Sequence, residues 1–234
     1  TRSKYHQTLD MELEFSYKGV RNYSYDARYP DMQSDGTLFS NRYSLTYRHN
    51  MKRSKRDLAG RFGQNLYASF EHTPYGGDYL GGLLATEARF FFPGIFKHHA
   101  FHVRSGYLYQ DLDQGQQTYL FNSPIMFTRG YSYQYYQRYW NNSVNYSLPL
   151  LYPDLHIGSL LNIQRIYTTL YYDLGTRFLG GQQEYFRSLG AELYFDFNLM
   201  RFLTLLNAGV RYSYAIDDPG EPHKFQLLIG NFGF

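Results

Sequence analysis

The sequence predicts an all-β protein: one antiparallel transmembrane β-barrel domain spanning residues 1–234. Three observations predict it. Apolar and polar residues alternate with period two in almost every segment, which marks strands with two unlike faces. Aromatic residues make up 20% of the chain, chiefly 27 Tyr and 19 Phe, a composition that favours strands. No window approaches the roughly 18–20 consecutive apolar residues of a membrane helix. Third, the connections read back from the C-terminus alternate long and short, as in outer-membrane barrels with short turns on one side and long loops on the other. The chain is hydrophilic on average, which such strands allow because every second residue is polar.

About ten runs follow one another, at 8–18, 37–49, 64–73, 82–92, 98–110, 136–149, 155–173, 186–197, 201–216 and 223–234. Most are near the nine to eleven residues of a tilted membrane strand. In the first, Leu9, Met11, Leu13, Phe15 and Tyr17 oppose Asp10, Glu12, Glu14, Ser16 and Lys18. In the fifth, Phe101, Val103, Tyr107 and Tyr109 oppose His102, Arg104, Gly106 and Gln110. In the eighth, Ala191, Leu193, Phe195 and Phe197 oppose Gly190, Glu192, Tyr194 and Asp196. The apolar faces suit lipid and the polar faces a wet lumen. "GTRFLGGQQEYF" and "DDPGEPHK" read as long connections, and so does the segment from about 111 to 135. "PGIFKHH", "LLYPDL" and "NLM" read as tight turns. "NMKRSKRDLAGRFG" falls on the short-turn side yet is long and basic.

The composition also excludes. With no cysteine there is no disulfide framework and no thiolate metal site. A net charge of +3 is too small to argue for nucleic acid. Thr1 is not an initiator and no signal peptide is visible, so the chain reads as processed or partial. No cofactor is expected.

The chain ends "KFQLLIGNFGF". A terminal aromatic closing a strand is common in bacterial outer-membrane proteins, where the last strand is an assembly signal. Phe225, Gly230, Phe232 and Phe234 are the candidate closure residues. Phe232 and Phe234 share a face, and the alternation slips near Gly230, which predicts a bulge there.

Within the longest connection lies "FTRGYSYQ", with Arg129-Gly130-Tyr131 at its centre, five runs from the C-terminus. Downstream are Pro149-Leu150 at a turn and Tyr171, Asp173 and Gly175 spaced as aromatic-x-Asp-x-Gly. In order and spacing these resemble the sixth-loop motif and following strands of outer-membrane assembly and translocation barrels. That superfamily, of bacterial surface antigen type, includes the BAM-complex barrel subunit and the two-partner secretion transporters. The resemblance covers the C-terminal half; the N-terminal half matches only in strand rhythm. Thr128 replaces the family's usual aliphatic residue, and Asn145 and Ser147 stand where the family often has Glu and Arg.

The resemblance implies a sixteen-strand barrel in the bacterial outer membrane, with about six strands and any periplasmic POTRA modules upstream. It implies a non-enzymatic protein that inserts or exports client proteins through a weak seam between first and last strands. Its partners would be outer-membrane lipid and other proteins. It also implies that the long loop folds into the lumen, where its arginine meets acidic and aromatic side chains. Parity alone puts Arg165, Tyr167, Thr169, Tyr171 and Asp173 on one face. A guanidinium reaching Asp173 can bind it through two parallel hydrogen bonds. Gly130 would allow a tight turn, and Tyr131 can pack on the barrel wall.

Other constellations are weaker. His98, His99 and His102 lack a nearby carboxylate, and adjacent strand residues face opposite ways. Lys52 to Arg56 reads by default as a solvated turn, and in a barrel as one that meets lipid headgroups or a periplasmic partner rather than nucleic acid. Asp217, Asp218 and Glu221 lack calcium-loop spacing. Two rival readings stay open: a self-contained ten-strand barrel acting as an omptin-like protease, for which His72 and His223 are the rim histidines, and a passive pore or surface-binding barrel.

Overall fold

The computed structural model describes residues 4–21, 35–52, 54, 57–58, 61–111, 119–158, 161–199 and 205–230. The strands are Tyr5–Val20 (β1), Gly36–Met51 (β2), Gly63–His72 (β3), Gly82–Pro93 (β4), Ala100–Asp111 (β5) and Arg138–Leu151 (β6). Leu155–Ile157 (β7), Leu161–Leu179 (β8), Gln182–Leu199 (β9), Leu206–Ala215 (β10) and His223–Ile229 (β11) complete them. All eleven join one antiparallel sheet in chain order, except that short β7 pairs only with the start of β8. The described residues contain no helix. The sheet is open, with β1 and β11 at its two ends.

The expected runs correspond to these strands with two corrections, and residues 201–204 and 231–234 of the last two runs lie outside the described residues. The run 155–173 divides, because the chain turns back at Gly158 (φ 58°) to form a small hairpin. "GTRFLGGQQEYF" is not a long loop. β8 and β9 pair through it up to Leu179↔Gln182, and Gly180 and Gly181 (φ 58° and 80°) make a two-residue turn. Positive φ at both positions matches the right-handed twist of the flanking strands, so paired glycines there favour a hairpin.

The two faces of the sheet are inverted relative to a protein folded in water. Along β6, Asn141, Ser143, Asn145 and Ser147 are buried while Trp140 and Val144 are exposed. Along β8, Thr169 and Asp173 are buried while Leu170 and Tyr172 are exposed. On β11, Phe225, Leu227 and Ile229 are 80%, 74% and 74% exposed. The sheet curls around its polar face, since residues from β4 to β11 line one cavity there. Both faces of edge strand β1 are largely exposed.

Two connections fill the concave side. The segment from Tyr119 to Gln137 lies against it, and Phe121, Ile125 and Tyr136 form an apolar cluster with Leu38, Leu83, Leu108 and Tyr139. From the short-turn end, Asp57 of the β2–β3 connection offers its carbonyl to Arg165 Nη1 on β8 at 3.4 Å. Leu58 lines the same cavity as Met126 of the long segment. Of the basic run, Arg53, Lys55 and Arg56 lie outside the described residues.

Candidate functional site

The structure brings Arg129 and Asp173 together beneath the apolar cluster. Arg129 is 8% exposed and Asp173 fully buried. Arg129 Nε donates to Asp173 Oδ2 at 2.8 Å and Nη2 to Oδ1 at 2.7 Å. The Arg129 backbone N–H adds a third bond to Oδ2, at 3.1 Å. A fork on a carboxylate fixes orientation as well as charge. Burial opposes the Arg129 charge, but Asp173 and Glu192 outweigh it and hold the guanidinium above its ordinary value.

The remaining donors are also used. Nη1 reaches Glu192 Oε1 at 3.1 Å. Nη2 also approaches Asn145 Oδ1 at 2.7 Å and Ser143 Oγ at 2.8 Å. Ser143 in turn donates to Asp173 Oδ1. The guanidinium lies over the Tyr171 ring, 3.5 Å from its centroid, a cation–π stack. β6, β8 and β9 position these groups because adjacent registers set Ser143 opposite Asp173 and Asp173 opposite Ser188 on one inward face.

Gly130 has φ 85°, and a Cβ there would come within 2.9 Å of Ser213 Cβ, so both conformation and space select glycine. Tyr131 packs edge-on against Phe186, with centroids 5.2 Å apart. Its hydroxyl donates to the Arg187 carbonyl at 2.8 Å and accepts the Asp217 N–H at 2.9 Å. Thr128, where the resembled family has an aliphatic residue, accounts for itself through Tyr139, whose hydroxyl accepts the Thr128 N–H at 3.0 Å.

Glu192 had no assigned role in the sequence reading, although its place on the polar face of β9 was legible there. It ties Arg129 to Arg211, whose Nε donates to Glu192 Oε1 at 2.6 Å. Arg211 Nη1 continues to Gln226 on β11 at 3.0 Å. Arg165 pairs with Asp196, and Asp196 also accepts Asn207 Nδ2 at 2.6 Å. Arg129, Glu192 and Arg211, with Arg89 and Arg104, line a cavity of about 660 Å³. Arg129, Arg165 and Arg211 are each paired with a carboxylate, whereas Arg104 on the cavity wall leaves its Nη2 without a hydrogen-bond partner among the described residues.

The other candidates separate. Phe225 sits on the outward face of β11, away from the Arg129 network. The ladder stays in register as far as Ile229 and the Gly230 N–H donates to the Asn207 carbonyl at 2.7 Å, while the residues beyond Gly230, where the expected bulge could also fall, lie outside the described residues. Glycine is needed at position 230 for close approach, since a Cβ would meet Asn207 at 2.9 Å. The register shifts among the described residues fall near Leu150 and Gln164. Phe232 and Phe234 lie outside the described residues. His98 does have a carboxylate nearby, because the β2–β3 connection brings Asp57 Oδ1 to 2.7 Å from its Nδ1. His99 pairs with Tyr146. Among the described residues no group of three His, Cys, Asp or Glu side chains can hold a metal ion. His72 stacks on Tyr43 and Phe70 of β2 and β3, while His223 on β11 bonds Tyr212. Asp217 is taken by Arg187, and Glu221 by Lys224.

No protein-family model matches the chain, and no curated protein or solved structure matches it significantly.

Proposed function

We propose that the chain is part of an outer-membrane β-barrel of the assembly and translocation type, which inserts or exports other proteins without catalysing a reaction. The observation that carries this reading is the Arg129-Gly130-Tyr131 segment seated on Asp173 inside the curved sheet. The inverted faces support the membrane part of it, because an apolar outer surface this continuous is costly in water and favourable in hydrocarbon. The open edges support closure by further strands, since a membrane leaves no strand edge unpaired in its interior. In a closed barrel the network would anchor the long segment across the lumen, between the seam-forming β11 and the strands on the far side.

The test is the intact mass and N-terminal sequence of the natural protein purified from outer membranes, followed by Arg129→Ala in that protein. The reading expects a polypeptide or stable complex well above the size of this chain. It also expects loss of client insertion or export on substitution. A lone protein of this size that inserts as a complete barrel would overturn it in favour of a self-contained pore or protease.

A further inference from the structure

We propose that the short-turn end of the sheet binds the headgroup of an anionic phospholipid, with Arg61 and Lys97 as the cationic groups and Ile95 and Phe96 against its acyl chains. The inference rests on the membrane-spanning reading above. A cavity of about 200 Å³ opens where the β2–β3 connection meets the β4–β5 turn, lined by Arg61, Lys97, His98, His99, Phe96 and Asp57. A water molecule takes up about 30 Å³ of liquid, so a phosphodiester fits with part of its hydration.

The charges favour an anion. Asp57, the acid of the site, is already occupied by His98 and by the Ser54 N–H at 3.1 Å. Arg61 lies close enough to Asp57 to help stabilise its carboxylate, but neither Arg61 nor Lys97 comes within ion-pair distance of a carboxylate among the described residues. The turn is preorganised. His98 is held in the left-handed region (φ 67°), and Tyr146 Oη ties the turn to β6 by accepting the Ile95 N–H at 3.3 Å and bonding His99 Nδ1 at 2.8 Å.

The apolar groups select a lipid over free phosphate. Ile95 is 82% exposed and Phe96 68%, at the tip of a turn beside the cations. Phe92, outward on β4, continues the apolar surface toward the middle of the sheet. Cations beside an apolar ridge at a strand end match the boundary between headgroup and acyl chain.

The natural protein would be reconstituted into vesicles of phosphatidylcholine with and without phosphatidylglycerol, and its retained lipids read by native mass spectrometry. Phosphatidylglycerol should be retained preferentially. The paired change Arg61→Glu and Lys97→Glu should lower that retention on the order of tenfold or more while leaving phosphatidylcholine unchanged. Phe96→Ser should weaken retention without removing the headgroup preference, and inorganic phosphate should not compete. Equal retention of both lipids, an unaffected charge-reversed protein, or displacement by inorganic phosphate would each overturn the inference. Protease protection in the same vesicles separates the two readings. An inserted protein with no lipid preference sinks only this inference, whereas one that does not insert sinks the membrane reading and this inference with it.

Discussion

Arg129 shows how a charge survives inside a protein: its donors are met by two carboxylates, two polar side chains and an aromatic face. Removing one partner of a buried pair leaves the other uncompensated, which costs about 3–5 kcal/mol. The three partners are not equivalent. Arg129→Ala leaves Asp173 without a cation, held only by Ser143 and the backbone N–H of residue 129, whereas Asp173→Ala leaves Arg129 its charged partner Glu192. Glu192→Gln removes a charge that Arg129 shares with Arg211 but spares the fork on Asp173. The expected order of damage is therefore Arg129→Ala, then Asp173→Ala, then Glu192→Gln. Chymotrypsin cleavage at the tyrosines and phenylalanines of the 111–137 segment in membrane-embedded protein would read it. Arg129→Lys should rescue little, since an ammonium cannot reproduce the fork or the stack. Full protection with lysine would show that charge alone seats the segment.

At the scale of elements, the long segment is held by a second clamp at Tyr131, two residues beyond Arg129. Arg187 donates to both oxygens of Asp217, and the Asp217 N–H and the Arg187 carbonyl bind the Tyr131 hydroxyl from either side. The Arg187 hydrogen bonds, against partial burial, hold the Asp217 carboxyl below the usual carboxylate range. A folded pKa below the unfolded value of about 3.9 makes the clamp fully stabilising above that pH. Its contribution disappears as pH falls through the folded value. Hydrogen exchange of peptides covering Tyr131 and Asp217 should stay slow at neutral pH and quicken only in that acid range. Asp217→Asn should exchange faster already at neutral pH, and an unchanged profile would remove Asp217 from the clamp.

The β8–β9 hairpin makes the second element-scale case. Gly180→Ala or Gly181→Ala forces a Cβ into a left-handed conformation, at about 1–2 kcal/mol each. The expected outcome is a nick at the hairpin tip under mild proteolysis, with Arg129 still seated. This hairpin also marks where the sequence misled. "GTRFLGGQQEYF" breaks the apolar alternation that marks the rest of both strands; only the Gly-Gly pair signalled the turn. The strand faces were legible wherever period two held, and with them the inward aim of Asp173. Glu192 as a second acid, and Asp57 as the partner of His98, were not legible, because both depend on which strands and connections meet across the curl.

For the whole molecule, the decisive property is the inversion of the two faces, and neighbouring positions on β2 can test it. Leu45 faces outward, exposed, opposite Met11 and Ala68. Ser44 faces inward, opposite Glu12 on β1. In a water-soluble sheet an arginine at Leu45 would be welcome, since it replaces an exposed apolar side chain with a charged one. In a bilayer it would cost about 2–4 kcal/mol near the midplane. Ser44→Arg should be tolerated in either setting, because Glu12 offers a cross-strand partner of opposite charge. Urea unfolding of the natural protein in lipid vesicles should therefore show Leu45→Arg strongly destabilised and Ser44→Arg close to the parent. Equal tolerance of both would mean that the apolar face meets water or protein instead of hydrocarbon. The membrane reading would then fall, even with Arg129 still forked on Asp173.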